Sequence, residues 1–172
     1  MLKTIKTIFN LFVLSLLFTA NSCITGENIP ERTAEMEAAE MQDILTKLVD
    51  KGYNIDTTAN GIYYVVDDEG SGPTVKTGDT CYVEYVGYLP GGNIFESSGD
   101  YYQDGIMEFV YPNENMIAGF NDGLAVMNKG AKIEMIIPSS KAFGPAGTSF
   151  VPPYTTVIIA TKLDDLKPAP VE

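Results

Sequence analysis

Residues 117–127 read IAGFNDGLAVM, and this stretch constrains the fold of the chain more tightly than any other. Ile117, Phe120, Leu124 and Met127 recur at helical spacing, so one short helix is predicted here. Gly119 and Gly123 lie on a different stripe of the same helix. Inside a helix each costs roughly 1 kcal/mol against alanine. Two side chains given up on one face imply that another element comes close to the helix backbone there.

The flanking text says which element that is. Strands are predicted at 61–66 (GIYYVV), 80–89 (TCYVEYVGYL), 94–98 (IFESS), 107–111 (MEFVY), 131–137 (AKIEMII) and 155–163 (TTVIIATKL). PGGN marks a hairpin turn after the second of these, and DDEGSGP and NKG mark two further turns. Residues 138–153, PSSKAFGPAGTSFVPP, form a long loop. Antiparallel strands with a single short helix late in the chain predict an α+β domain, a helix laid on a twisted sheet. Gly119 and Gly123 then mark where the sheet meets the helix backbone.

A second helix is predicted over residues 30–51, with Pro30 in its first turn and Gly52 just after its last. Met41, Ile44, Leu45, Leu48 and Val49 give it an apolar face. Its first half is acidic and alanine-rich, has little to bury, and is expected to project or fray while the second half packs. The same helix is a candidate contact surface for a partner.

The first residues, MLKTIKTIFNLFVLSLLFTANSC, have the order of a secretory signal: two lysines, an apolar run, then small residues. The run is about 13 residues, short of the roughly 20 needed to span a bilayer. Ala20-Asn21-Ser22-Cys23 is similar to the lipobox of bacterial lipoproteins, in the looser form found in Bacteroidetes. That resemblance implies a lipid-modified Cys23 anchored through several acyl chains; plain cleavage nearby is the alternative. Ile24, rather than an aspartate, follows the cysteine and points to the outer membrane. Residues 23–29 would be a tether of about 15 Å reach. The expected division is 1–22 signal peptide, 23–29 lipidated cysteine and tether, 30–54 N-terminal helix, 55–166 main domain and 167–172 flexible tail.

Composition removes several function classes. The chain has no histidine, which excludes Ser-His-Asp and Cys-His nucleophile systems and histidine metal sites within it. Its formal charge is −12, and loss of residues 1–22 removes Lys3 and Lys6 but no acid. Such a surface repels nucleic acid, so none is expected as a partner. Besides Cys23 the only cysteine is Cys81, which shares a strand face with Val83 and Tyr85 and reads as a small buried hydrophobe. Glu96, Asp100 and Asp104 show no spacing that selects a metal, and neither metal nor other cofactor is predicted.

Three blocks carry a wider resemblance: GDTCYVEYVGYLPGGNIFESS, MEFVYPNENMIAGFNDGLAVMNKGAKIEMIIPSSKAFGPAG and VPPYTTVIIATKLDDL. In order and spacing they resemble FKBP-type peptidyl-prolyl cis/trans isomerases over residues 61–166. The resemblance implies an FKBP-like twisted antiparallel β-sheet wrapped on one short α-helix, here with an extra N-terminal helix. It implies an isomerase acting on proline-containing polypeptides and, with the leader, one that assists folding of exported proteins at the envelope. A catalytically weak binding module or holdase of the same fold is the alternative.

The resemblance also assigns a pocket. Tyr85, Phe95, Glu96 and Phe143 would be its catalytic residues. Met107, Met116, Ile117, Phe120, Val151 and Ile159 would bind substrate, Phe120 at the floor and Ile117 through its backbone N–H. Several positions depart from the common pattern. Glu96 stands where aspartate is usual, Met107 where many members have phenylalanine, Phe120 where tryptophan is common, and Ile159 where phenylalanine is frequent. Phe143 lacks the hydroxyl of a tyrosine, and the loop after it is about one residue shorter than in small members.

Overall fold

The structure, a computed structural model, describes residues 31–170. The expected signal peptide, Cys23 and the tether lie outside these residues. All strand pairings are antiparallel and form one seven-stranded sheet. The strands are β1 (Asp56–Thr57), β2 (Tyr63–Asp68), β3 (Thr80–Tyr88), β4 (Ile94–Ser97), β5 (Met107–Val110), β6 (Lys132–Ile137) and β7 (Val157–Lys167). Their order is β1-β2-β6-β7-β3-β4, and β5 also pairs with β3. Along β3, β5 takes the first half (Thr80 to Val83) and β4 the second (Val86 to Tyr88), while β7 runs along the other edge. β3 therefore pairs with three strands.

Alternation sets the core face. Cys81, Val83 and Tyr85 of β3, Ile133, Met135 and Ile137 of β6, and Val157 and Ile159 of β7 all belong to the buried cluster. Tyr82 pairs with Asp165 but Val83 with Leu163, so β7 carries a bulge at Asp164. The extra residue reverses the parity, and Leu163 and Leu166, three positions apart, both enter the core. β7 runs on to Lys167, past the end predicted at 163.

Helix α2 (Ala118–Leu124) lies on this face, with Phe120 and Leu124 fully buried. A Cβ on Gly119 would run into Ile137, and one on Gly123 into Met135, both on β6. The two glycines are thus where the sheet touches the helix backbone.

Helix α1 (Ala34–Asp50) begins later than predicted. Thr33 caps it, its hydroxyl accepting from the Met36 N–H at 3.4 Å. At the other end Gly52, at φ +85°, donates to Val49 and Tyr53 to Leu48, a Schellman ending. Contrary to expectation, the first half does not project. Glu37 is buried with Leu48, on one stripe with the half-buried Met41 and Ile44, whereas Val49 is exposed. The Glu37 carboxylate accepts from the Ser139 N–H and Oγ, both at 2.5 Å, and from Thr156 Oγ1 at 3.1 Å. Three donors offset the cost of burying that charge. No helix among the described residues is long and apolar enough to cross a membrane.

Candidate active site

Where β3, β4, β7 and the two loops around α2 and β6 converge, the surface sinks into a cavity of about 110 Å³. One water needs only about 10–15 Å³ of such space. Tyr85 and Gly87 line it from one face of β3, and Ile159, paired with Gly87, lines it from β7. Phe95 and Glu96 come from β4, Asn115, Met116 and Ile117 from the approach to α2, and Phe143 from the long loop after β6. Seven sequence-predicted residues thus meet here: Tyr85, Phe95, Glu96, Met116, Ile117, Phe143 and Ile159.

Three others do not line the cavity. Met107, Phe120 and Val151 are buried within the core. Strand alternation turns Met107 and Phe109 of β5 inward together. Phe120 lies between helix and sheet, edge-on to Tyr85 with centroids 5.7 Å apart at 63°. Val151 closes a tight turn, its N–H donating to Thr148 Oγ1 and its carbonyl accepting from the Thr148 N–H. Instead of forming the surface of the bowl, Phe120 supports the ring of Tyr85, which does.

The Tyr85 hydroxyl donates to Glu96 Oε1 at 2.8 Å. Burial and then this bond to a carboxylate push the phenol well above its usual pKa, so it stays protonated and remains a donor. Phe95 and Phe143 meet edge to face, centroids 5.6 Å apart at 88°. Gly87 makes room for this wall, because a Cβ there would stand 2.5 Å from Phe95 Cζ.

Surrounding hydrogen bonds fix the lining residues. Ser98, fully enclosed, accepts from the Tyr85 N–H at 3.0 Å and donates to the Gly105 carbonyl at 2.6 Å, tying β3 to the following loop. Asn113 and Asn121 bond reciprocally, Asn113 N–H to Asn121 Oδ1 at 3.0 Å and Asn121 Nδ2 to Asn113 O at 2.9 Å, which sets the approach to α2. The Ile117 N–H, at the helix entry, has no acceptor among the described residues. Gly87, Ser98 and Asn115 were not among the predicted residues. For Gly87 the signal was available, since a glycine inside a strand marks close approach. No cluster of three or more metal-ligating side chains occurs among the described residues.

Comparison with known proteins gives the site its context. The sequence pattern of the family described as FKBP-type peptidyl-prolyl cis-trans isomerase matches residues 72–164. A probable FKBP-type peptidyl-prolyl cis-trans isomerase of Haemophilus influenzae is 34% identical over 119 residues, 69% of this chain and 48% of that protein. FkpA of Escherichia coli K12, an FKBP-type peptidyl-prolyl cis-trans isomerase, is 35% identical over 120 residues, 70% of this chain and 43% of its own. The matches thus span less than half the length of these relatives. The crystal structure of Escherichia coli FkpA superposes with a TM-score of 0.66 at 33% identity, covering 80% of this chain and 62% of that one. A peptidyl-prolyl cis-trans isomerase from Pseudomonas syringae gives 0.65 at 27% identity, covering 83% of this chain and 100% of the other.

Proposed function

The chain belongs to the FKBP-type peptidyl-prolyl cis-trans isomerase family, and from that premise we propose that its cavity binds an X–Pro segment and speeds rotation about the peptide bond. The observation that carries this reading is the Tyr85–Glu96 hydrogen bond in a cavity whose other lining side chains, Asn115 apart, are apolar. Rotation must break amide resonance, with a barrier of about 18–20 kcal/mol. The twisted amide has a less polar carbonyl than the planar one. An apolar cavity therefore favours the twisted state over the hydrated ground state, without a reactive group. In this proposal Tyr85, Phe95, Phe143 and Ile159 enclose the proline, Glu96 holds the Tyr85 ring in place, and the free Ile117 N–H takes a carbonyl of the peptide. Met107, Phe120 and Val151 act from behind by fixing the lining.

We further propose that the isomerase serves exported proteins and is lipid-anchored at the bacterial outer membrane through Cys23. The signal-like residues 1–22 and the small residues before that cysteine support this reading. A protease-coupled assay with a short proline-containing peptide tests the activity on purified residues 24–172. Acceleration above background is expected; a folded protein that binds the peptide without acceleration is a binding module instead. Cys23→Ser should release the protein from the membrane fraction, and retention there would sink the anchor.

A further inference from the structure

We infer that Arg32 and Glu37, outside the stretch matched by the family pattern, are positioning residues that hold the pocket loop in its peptide-binding conformation. The loop of residues 138–156 carries Phe143, one wall of the cavity. Helix α1 grips both ends of it. At the entry, the Glu37 carboxylate takes the N–H and hydroxyl of Ser139; at the exit it takes the hydroxyl of Thr156. Arg32 Nε donates to the Pro153 carbonyl at 3.2 Å and Nη2 to the Tyr154 carbonyl at 3.1 Å. Glu40, 2.6 Å from Nη2, orients the guanidinium.

These contacts close a circuit around Phe143. The Gly144 N–H donates to the Ser139 carbonyl at 2.8 Å, and the Tyr154 N–H donates to the Gly144 carbonyl at 3.1 Å. Proceeding from Glu37, the circuit runs through Ser139, Gly144 and Tyr154 to Arg32 and back into α1. Tyr154 sits at φ +48°, a conformation a non-glycine residue keeps only when its surroundings impose it. Arg32 and Gly144 hold its peptide groups from two sides. Released from α1, the loop would sample other conformations, and peptide binding would bear the cost of reordering it. Apparent affinity then falls with the fraction of competent loop, while the chemistry of the ordered complex is unchanged.

This inference rests on the isomerase reading for its kinetic consequence but not for its structural one, and the experiment separates them. Full-length Glu37→Leu and Arg32→Ala are compared with wild type by amide hydrogen exchange and by isomerase kinetics. Arg32 is partly exposed and its variant serves if the buried one fails to fold. Expected are exchange at residues 139–156 faster by about tenfold, with strand amides still protected, and a KM higher by about fivefold at unchanged kcat. Glu37→Gln should restore wild-type behaviour. Its amide oxygen can accept from the Ser139 N–H and Thr156, and its NH2 can donate to the Ser139 hydroxyl. Unchanged loop exchange in both variants overturns the brace. Faster exchange with unchanged KM overturns its link to the pocket. Faster exchange in a protein whose wild type shows no turnover upholds the brace and removes the isomerase reading.

Discussion

Tyr85 donates its phenolic hydrogen to Glu96 within the lining of the cavity, and its ring rests edge-on against the buried Phe120. One side chain thus contributes a surface, a fixed donor and a contact to the core. Tyr85→Phe keeps the ring and loses only the bond, which corresponds to roughly 1 kcal/mol, or about fivefold in kcat/KM. Tyr85→Ala also removes the surface and should fall well below that. Equal losses in the two variants would assign the whole effect to the hydroxyl.

Gly87 is predicted to be as sensitive as the aromatic residues around it. A methyl there would stand 2.5 Å from Phe95 Cζ and 2.8 Å from Cε1. The ring must swing away, which breaks the Phe95–Phe143 edge-to-face contact. Gly87→Ala should lower isomerase kcat/KM by up to about tenfold, the upper end of the roughly 0.5–1.5 kcal/mol such a ring pair contributes, while the far-ultraviolet circular dichroism stays that of the wild type. Full activity in this variant would show that the Phe95 position is not critical.

The α2 glycines should differ from each other. At Gly119 a methyl meets Cγ2 of Ile137, a β-branched chain stiff at χ1, and stands 3.2 Å from the Lys141 backbone carbonyl. At Gly123 the neighbours are the Sδ and Cε of Met135, a flexible chain. Both alanines gain roughly 1 kcal/mol of helix propensity. Gly119→Ala should still lose on the order of 1–3 kcal/mol to overpacking, and Gly123→Ala distinctly less. Urea unfolding of the two variants checks the ranking, and the reverse order would contradict it.

Glu134 is predicted to make folding stability fall as pH rises. Burial, then the nearby Asp67, lift its pKa from 4.5 to about 7 in the folded chain. Below about pH 4.5 the carboxyl is protonated whether the chain is folded or not. Between 4.5 and about 7 only the unfolded chain ionises it, so stability drops through this window. Above that both forms are ionised, and the penalty levels off on the order of 3 kcal/mol. Glu134→Gln should therefore melt several degrees above wild type at pH 8, with the two converging near pH 4. Parallel melting profiles would show that Glu134 is not the titrating group.

Much of the fold was legible because strand alternation and helix period are local. The helix stripe that holds Gly119 and Gly123, the Gly52 helix ending and the positions of β2 to β7 along the chain all follow from neighbours in the sequence. The bulge at Asp164 broke the period and hid the last third of β7. The site was legible only through resemblance, which supplied seven lining residues. It could not separate lining from support at Met107, Phe120 and Val151, since an aromatic or aliphatic side chain looks the same from either side of a cavity wall.

Sequence alone determined which faces are apolar, where the chain turns, and that no histidine chemistry is available. Tertiary structure decided what those faces enclose. Glu37 sits in an acidic, alanine-rich run and reads as solvated, yet three donors more than a hundred positions away make it a buried clamp on the pocket loop. A charge is buried only where its partners converge, and that convergence is a property of the folded sheet and loop, not of the residues adjacent to Glu37 in the chain.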